Sequence, residues 1–393
     1  MSRNTTAVVM ANDANYIAHT YPRAPVVFVR GQGSLLWDAD GNEYIDCGSG
    51  IAVTSFGIAD AQWQAAVAAQ AAAVQHVSNL YHTAPQAKLA AMLCETTGMQ
   101  KVFFGNSGAE ANECAIKAMR KYSSDKYGPG RHTILTLKHS FHGRTLATLA
   151  ATGQDAFHRH FGPFPDGFDY IEPGDTAALS ARLAQGDCCG MLVELVQGES
   201  GVNVINKQWI QAAAQLCRQN DVLFAVDEVQ TGNGRTGTLY AWQQYAIEPD
   251  LFTTAKGLAG GLPMGACVFA ASTAGVLGPG DHGSTFGGNP VCAAGAISIL
   301  ERIDTALLEK VKQKGEYLRR RLENSPGITD VSGLGLMLGF SAQKSAAQVV
   351  DECRSKGLLV LTAHNRVRLV PALNIPHHLL EQAADILQEV CKP

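Results

Sequence analysis

A carboxylate and an amine each follow an apolar run of strand length in this chain. The run LFAVDEVQ (223–230) delivers Asp227, and the run LFTTAKG (251–257) delivers Lys256. In an open α/β sheet the ligand lies beyond the carboxyl ends of the strands, so we expect both side chains to face one crevice. A lysine amine can form a Schiff base with an aldehyde, and an aspartate can keep a ring nitrogen protonated.

This pair suits an enzyme that uses pyridoxal phosphate, but each member alone also has an ordinary explanation. Most lysines are solvated surface charges. Asp227 and Glu228 could equally form a helix N-terminus or a solvated turn. The interpretation therefore depends on the motifs that accompany the pair, and three further motifs occur in compatible order.

The first of these motifs is GNSGAEAN (105–112), which follows one predicted strand and opens a helix. Backbone N–H groups at such a turn bind anions, and the helix dipole adds to this preference. Gly108 permits close approach of a ligand, and the Ser107 hydroxyl is a further donor. Serine is also a common helix N-cap, so the motif alone leaves both explanations open. Together with Lys256 and Asp227 it predicts a phosphate site.

The other two motifs, together with the end of one further predicted strand, could complete this phosphate site. The turn SFHGR supplies Phe141, which can stack on a planar ring, and Arg144, whose fork matches a carboxylate. Alone, this turn would be a loop with a surface arginine. The segment ELVQGE ends another strand and places Glu199 at the same rim. The loop STFGGNP (284–290) is glycine-rich, and its hydroxyls could reach a phosphate.

The order of the elements predicts an α/β fold. Strand-like and helix-like stretches alternate from residue 101, and the strands are continuously apolar, which favours a mainly parallel central sheet covered on both faces. We predict a large domain at 51–290 and a smaller α+β domain formed by 1–50, with an N-terminal arm and hairpin, together with 291–393. Segment 291–324 is expected to be one long helix. The predicted strands of the large domain include Lys101–Phe104, Thr133–Leu137, Met191–Val196, Leu223–Val226, Leu251–Thr254 and Ala266–Ala271.

Bulk composition argues against several classes of protein. Of 393 residues, 46% are hydrophobic and 17% are charged, as in a dense globular protein. The net charge of −4, without a basic stripe, gives no reason to expect nucleic acid. The sequence shows no signal peptide and no long apolar span, so we do not expect a membrane protein. No pair of histidines has further ligands at metal-binding spacing, so we do not expect a metal site. The ten scattered cysteines lack a CxxC pair, which predicts buried thiols in a reducing cytoplasm.

Taken together, the motifs NSGAEAN, FHGR, VQGES, DEVQTGNGRTG, TTAKGLAGGLP and STFGGNP resemble those of a known family. The chain is similar to the class III, ornithine-type aminotransferases of the fold-type I pyridoxal phosphate superfamily. The resemblance runs from GSGIAV near the start to RLVPALNI near the end. Within the family, the compact length and the opening DxxGNEYIDCGSGIAV are most similar to the acetylornithine branch.

The resemblance implies a role for each matching residue. Lys256 would carry the cofactor and transfer the proton, and Asp227 would pair with the pyridine nitrogen. Glu199 would be the third catalytic residue, because it would control the access of substrate to Arg368. The other implied contacts are Phe141 and Val229 on the two ring faces, Gln230 at the phenolic oxygen, Ser107, Gly108 and Ala109 with Thr285 of the partner subunit at the phosphate, Arg144 at the carboxylate of the acylated amino acid, and Arg368 at the α-carboxylate of glutamate or 2-oxoglutarate.

The resemblance also implies a reaction and an assembly. A cytoplasmic homodimer with shared active sites would move the distal amino group of N2-acetyl-L-ornithine to 2-oxoglutarate, giving N-acetylglutamate 5-semialdehyde and glutamate for arginine biosynthesis. Succinylornithine, ornithine and 4-aminobutyrate remain alternative donors, because enzymes that use them share every cofactor residue. An aminomutase, which needs no external keto acid, and a non-catalytic cofactor-binding module are further alternatives.

Overall fold

The computed structural model describes residues 3–392, so Met1, Ser2 and Pro393 of the predicted small domain lie outside the described residues. The predicted N-terminal arm is helical from Arg3 onward. The helices are α1 (Arg3–Tyr16), α2 (Ser49–Ala52), α3 (Ala61–Ala73), α4 (Ala84–Thr97), α5 (Gly108–Tyr127), α6 (Leu146–Ala151), α7 (Asp155–His158), α8 (Thr176–Leu183), α9 (Lys207–Gln219), α10 (Ala241–Tyr245), α11 (Pro290–Leu300), α12 (Thr305–Glu323), α13 (Ala346–Ser355) and α14 (His377–Val390). The strands are β1 (Phe28–Gln32), β2 (Leu35–Asp38), β3 (Glu43–Asp46), β4 (Lys101–Gly105), β5 (Thr133–Leu137), β6 (Phe168–Ile171), β7 (Cys188–Val193), β8 (Val196–Gln197), β9 (Asn203–Val204), β10 (Leu223–Asp227), β11 (Leu251–Thr254), β12 (Gly265–Phe269), β13 (Ile328–Leu334), β14 (Met337–Ala342), β15 (Leu358–Leu359), β16 (Leu361–Ala363) and β17 (Arg366–Leu369).

The central sheet has seven strands in the order β4-β12-β11-β10-β7-β5-β6. All run parallel except β12, which is antiparallel to both of its neighbours. The runs TILTL, LFAVD and LFTT are buried along their whole length, as expected for strands covered on both faces. The predicted α/β fold with a mainly parallel sheet is confirmed.

The first fifty residues pair with the C-terminal part of the chain. Strands β1, β2 and β3 form the predicted antiparallel hairpin arrangement, and β15 adds to β3 in parallel, with Leu358 opposite Ile45. Ile45 also belongs to a separate apolar core with Leu318 and Leu380. A second antiparallel sheet, β13-β14-β17-β16, lies in this part. The division into 51–290 and 1–50 with 291–393 stays a prediction.

Two predicted elements are divided in the structure. The single helix predicted over 291–324 is wrong, because α11 ends at Leu300 and α12 begins at Thr305. Between them Asp304 has an extended backbone, and its carboxylate accepts a hydrogen bond of 2.7 Å from the Leu307 N–H, which caps the second helix. The predicted strand Met191–Val196 is likewise split into the end of β7 and the start of β8.

The cysteines are free thiols, and the helices that the structure describes are not of the membrane-spanning kind. All ten cysteines are free, and nine of them are buried, which confirms the predicted buried thiols. Within residues 3–392, no helix has both the length and the apolar character needed to cross a bilayer.

Candidate active site

A cavity of about 460 Å³ lies at the carboxyl edge of the central sheet. Its walls come from the residues that follow β4, β5, β7, β10 and β11, the edge where α/β sheets bind ligands. Arg368 and Thr285 do not line it. The other ten predicted site residues do: Ser107, Gly108, Ala109, Phe141, Arg144, Glu199, Asp227, Val229, Gln230 and Lys256.

The carboxylate of Asp227 is held by three donors. Its Oδ1 accepts a hydrogen bond of 3.0 Å from the Val229 N–H. Its Oδ2 lies 2.8 Å from both Asn112 Nδ2 and His142 Nδ1. Asn112 is itself oriented by Thr253, whose hydroxyl donates to Asn112 Oδ1 at 2.7 Å. Asp227 is therefore buried and fixed in orientation at the cavity wall.

Lys256 has a strained backbone directly after β11. Its φ of 46° lies in the left-handed region, which a side chain such as lysine rarely adopts. Asn233 secures the preceding turn by donating to Thr254 Oγ1 at 3.0 Å and to the Ala255 carbonyl at 3.2 Å. Burial lowers the pKa of Lys256, and the nearby Glu199 carboxylate partly offsets this. Within residues 3–392 its amine has no hydrogen bond or ion pair.

The opposite end of the cavity is the N-terminus of the 20-residue helix α5. Ser107 is the N-cap, and its Oγ accepts a hydrogen bond of 3.2 Å from the Glu110 N–H. In the described part of the chain the N–H groups of Gly108 and Ala109 have no acceptor. A Cβ at Gly108 would lie 2.7 Å from Val229 Cγ1, so the close approach requires glycine. These groups form a cradle for an anion.

Glu199 and Arg368 form an ion pair beside the cavity. Arg368 Nη1 donates to Glu199 Oε1 at 2.7 Å and to Gln230 Oε1 at 3.0 Å. Gln230 Nε2 in turn donates to Glu199 Oε1 at 3.2 Å. Burial alone would raise the pKa of Glu199, but the charge and hydrogen bond of Arg368, together with Lys256 and Gln230, lower that pKa. The guanidinium of Arg368 is thus neutralised behind Glu199, with only 2% of the residue exposed.

Arg144 and Thr285 lie in different surroundings. The guanidinium of Arg144 faces the Phe157 ring at 4.2 Å and the Phe141 ring at 5.5 Å, at the edge of the cavity. Thr285 is exposed and lies outside the cavity. The neighbouring Ser284 does contact that rim, because its Oγ accepts a hydrogen bond of 3.0 Å from Asn106 Nδ2.

Three further residues of the sequence motifs lie at this site, although the sequence analysis predicted no role for them. Glu194 is buried at the cavity wall and accepts the Phe141 N–H at 2.7 Å, which fixes the loop that carries Phe141. Burial raises the pKa of Glu194 to about 7. His142 and Asn112 hold Asp227. Asn112 stands four residues after Gly108, so the helical period could have placed both on one face.

The residues at this edge fit pyridoxal phosphate. Two free N–H groups suit a phosphate, Asp227 suits a ring nitrogen, and the free amine of Lys256 suits an aldehyde. The mainly parallel sheet and this set of residues define an enzyme of fold-type I, the pyridoxal phosphate-dependent class. The family model described as aminotransferase class-III matches residues 16–391. The chain belongs to the class III aminotransferases and is a pyridoxal phosphate-dependent transaminase.

Individual relatives are similar over nearly the whole chain. Acetylornithine aminotransferase of Haemophilus ducreyi is 49% identical over 380 residues, which cover 96% of this chain and 97% of that protein. The crystal structure of ornithine aminotransferase from Toxoplasma gondii has a TM-score of 0.93 at 31% identity and covers 98% and 94% of the two chains. That of acetylornithine aminotransferase from Elizabethkingia anophelis has a TM-score of 0.88 at 32% identity, with 98% of each chain covered.

Proposed function

We propose that this transaminase moves the distal amino group of N2-acetyl-L-ornithine to 2-oxoglutarate, giving N-acetylglutamate 5-semialdehyde and glutamate. The reaction would serve arginine biosynthesis in the cytoplasm. Relatives that carry the name acetylornithine aminotransferase, at 49% and 42% identity, support this substrate.

The observation that carries the proposal is the unequal state of two arginines. Arg144 offers all its donors at the cavity edge, since none of them is bonded within residues 3–392, whereas Arg368 is neutralised by Glu199. A donor whose α-amine is acetylated brings one carboxylate far from its reacting amine, and it needs one free arginine. A dicarboxylic acceptor needs two. The cavity suits the acetylated donor as it stands, and it suits the dicarboxylic acceptor once Glu199 moves away from Arg368.

The residues of the chain divide the work between binding and proton transfer. When bound, pyridoxal phosphate supplies an aldehyde that takes up the amino group and a ring that accepts electrons. We assign the phosphate to Ser107, Gly108 and Ala109. Phe141 and Val229 would hold the ring faces, Gln230 the phenolic oxygen and Asp227 the ring nitrogen.

Lys256 is assigned the proton transfer. Its amine would remove the proton from the substrate carbon that carries the reacting amine. In the second half-reaction it would return a proton to the corresponding carbon of the keto acid. The lowered pKa of Lys256 suits a base, because more of the amine is neutral near pH 7.

Single-turnover absorbance spectra of the cofactor-loaded enzyme test the substrate. We expect N2-acetyl-L-ornithine to react faster than N2-succinyl-L-ornithine, L-ornithine or 4-aminobutyrate, and to produce glutamate only when 2-oxoglutarate is added. Faster reaction of another donor would contradict the proposed substrate. Without any keto acid the donor should yield at most one equivalent of product per site, and continued turnover beyond that equivalent would instead indicate an aminomutase.

Replacing Glu199 with alanine is expected to affect the two half-reactions unequally. Without the carboxylate, Arg368 would stay charged and unpaired beside the methylenes of the acetylated donor, which is unfavourable in a partly dry cavity. The same free arginine suits glutamate. We expect the donor half-reaction to slow by roughly tenfold or more, and the glutamate half-reaction to be unchanged or faster.

Rapid-mixing spectra of each half-reaction check this prediction. Gln230→Ala is a useful comparison, because it removes the bridge between the two charged groups but keeps both of them. Equal losses in both half-reactions of Glu199→Ala would mean that the pair with Arg368 only braces the rim.

We propose that the enzyme is a homodimer and that Thr285 of the partner subunit completes the phosphate site. Leu80, Tyr81 and Phe286 are exposed by 60% or more beside the loop that carries Thr285. Asn79 ties the two segments together by donating to the carbonyl of Gly287 at 2.8 Å. Such an apolar surface next to the cavity is typical of a protein interface.

Mixed dimers test the position of Thr285. Lys256→Ala and Thr285→Ala subunits should each be inactive, whereas hybrids would hold one complete site. Random exchange of equal amounts should restore about a quarter of wild-type activity. Thr285→Ser keeps the hydroxyl and serves as the control that retains activity alone. If Thr285 served its own subunit, no hybrid site would be complete and no activity would return.

A further inference from the structure

Arg144 is held in the structure by aromatic rings alone. Within the described residues its guanidinium makes no hydrogen bond and no ion pair, although an arginine carries five N–H donors. Phe157 is the nearer of its two aromatic neighbours, with the guanidinium carbon 4.2 Å from the ring centroid. The Phe141 ring follows at 5.5 Å.

This arrangement orients the arginine without using its donors. A guanidinium over a ring is attracted through its face, while its N–H groups lie in its plane and stay free for a carboxylate. A long exposed side chain otherwise samples many rotamers, and a ligand that fixes one of them loses affinity. A stacking ring therefore orients the arginine in advance and so favours the binding of a carboxylate.

Phe157 is itself fixed from two sides. It lies in the short helix α7, whose N-cap Gln154 donates from Nε2 to the Ser140 carbonyl at 3.0 Å and whose His158 Nε2 lies 2.9 Å from the Leu149 carbonyl. Its ring meets the Phe141 ring edge to face, with centroids 5.7 Å apart and planes at 74°. Phe157 thus contacts both the proposed stacking residue of the cofactor ring and the proposed carboxylate ligand.

We propose that Phe157 is a positioning residue that determines specificity for substrates with a carboxylate distant from the reacting amine. It acts through Arg144 and does not touch the reacting atoms. The identity of the preferred donor rests on the proposed function, but the effect applies to any ligand that places a carboxylate on Arg144.

The test uses the cofactor-loaded enzyme and N-acetyl-L-norvaline, which is the acetylated donor without its terminal amine and therefore cannot react. In Phe157→Leu, which keeps apolar volume but loses the ring, calorimetry should show Kd raised about tenfold, as expected for loss of a partly desolvated cation–π contact. Phe157→Tyr should stay within about twofold of wild type, because the ring face remains. Phe161→Leu changes an exposed phenylalanine nearby and should have no effect.

Kinetics separate positioning from a general structural defect. In Phe157→Leu, KM for N2-acetyl-L-ornithine should rise about tenfold while kcat changes less than about twofold. The slow half-reaction with n-pentylamine, which has no carboxylate, should be unchanged. If the leucine variant unfolds at lower temperature, Phe157→Met carries the same test.

Three results would overturn the proposal. They are an unchanged Kd for N-acetyl-L-norvaline in Phe157→Leu, an equal loss with n-pentylamine, and a Phe157→Tyr variant as weak as the leucine variant. Failure of the proposed function has a different signature. In that case wild-type enzyme does not turn over N2-acetyl-L-ornithine, whatever the effect of Phe157 on the binding of the unreactive ligand.

Discussion

Replacing Lys256 with alanine is expected to abolish turnover and to leave the cofactor's phosphate site intact. The substitution removes the amine proposed for both covalent attachment and proton transfer, so kcat should fall by at least about 10⁴-fold, the upper end for a general acid–base residue. The N–H groups of Gly108 and Ala109 and the carboxylate of Asp227 are untouched. Equilibrium dialysis should therefore still show pyridoxal phosphate binding to the variant.

Chemical trapping identifies the attachment point independently of activity. Borohydride reduction of the wild type, followed by peptide mass spectrometry, should find the cofactor on Lys256. Lys138→Ala is the matched control, because Lys138 follows strand β5 of the same sheet but is exposed and pairs with Glu172 at 3.5 Å. That variant should keep its activity. A reduced adduct on a different lysine would refute the assignment of the site.

Replacing Asp227 with asparagine should leave the fold intact and cost about 3 to 4 kcal/mol of activation free energy, the usual price of losing one preorganised electrostatic partner. This corresponds to a fall in kcat of about 150- to 900-fold. An amide cannot balance the positive charge of a protonated ring nitrogen, so the ring would no longer accept electrons. The amide oxygen could still accept from Asn112, which keeps the local geometry.

The control for this variant is the same change at the opposite edge of the sheet. Asp250 precedes β11 and accepts the Phe224 N–H at 2.8 Å, far from the cavity lining. Asp250→Asn should change stability more than kcat. Steady-state kinetics and the absorbance of bound cofactor compare the two variants. Near-normal turnover of Asp227→Asn would show that Asp227 does not face the ring nitrogen.

Sequence patterns predicted the elements that position the site, because the signal there is local. The predicted strands Thr133–Leu137 and Leu251–Thr254 coincide with β5 and β11. A strand covered on both faces carries few charges along its length, and its end is marked by the first charged side chain. The chemistry-bearing residues Asp227 and Lys256 follow such ends, so topology alone brings them into one cavity.

The features that were missed depend on contacts between distant segments. Nothing near His142 in sequence indicates that its ring meets Asp227, 85 positions away, or that Glu194 binds the Phe141 N–H. The break between α11 and α12 has a local signal in Asp304, but apolar periodicity on both sides concealed it. Phe157 stands in a polar stretch, and only the structure shows that its ring faces Arg144.

The parallel pairing of β15 with β3 has a consequence for the order of events during synthesis. Leu358 lies opposite Ile45, 313 positions away (358 − 45), so the sheet that begins near the N-terminus cannot be completed until almost the whole chain has left the ribosome. The strands of the central sheet are all available earlier. The nascent chain would therefore build the cofactor-binding sheet first, and the opening segment would wait with the β15-facing edge of β3 unpaired.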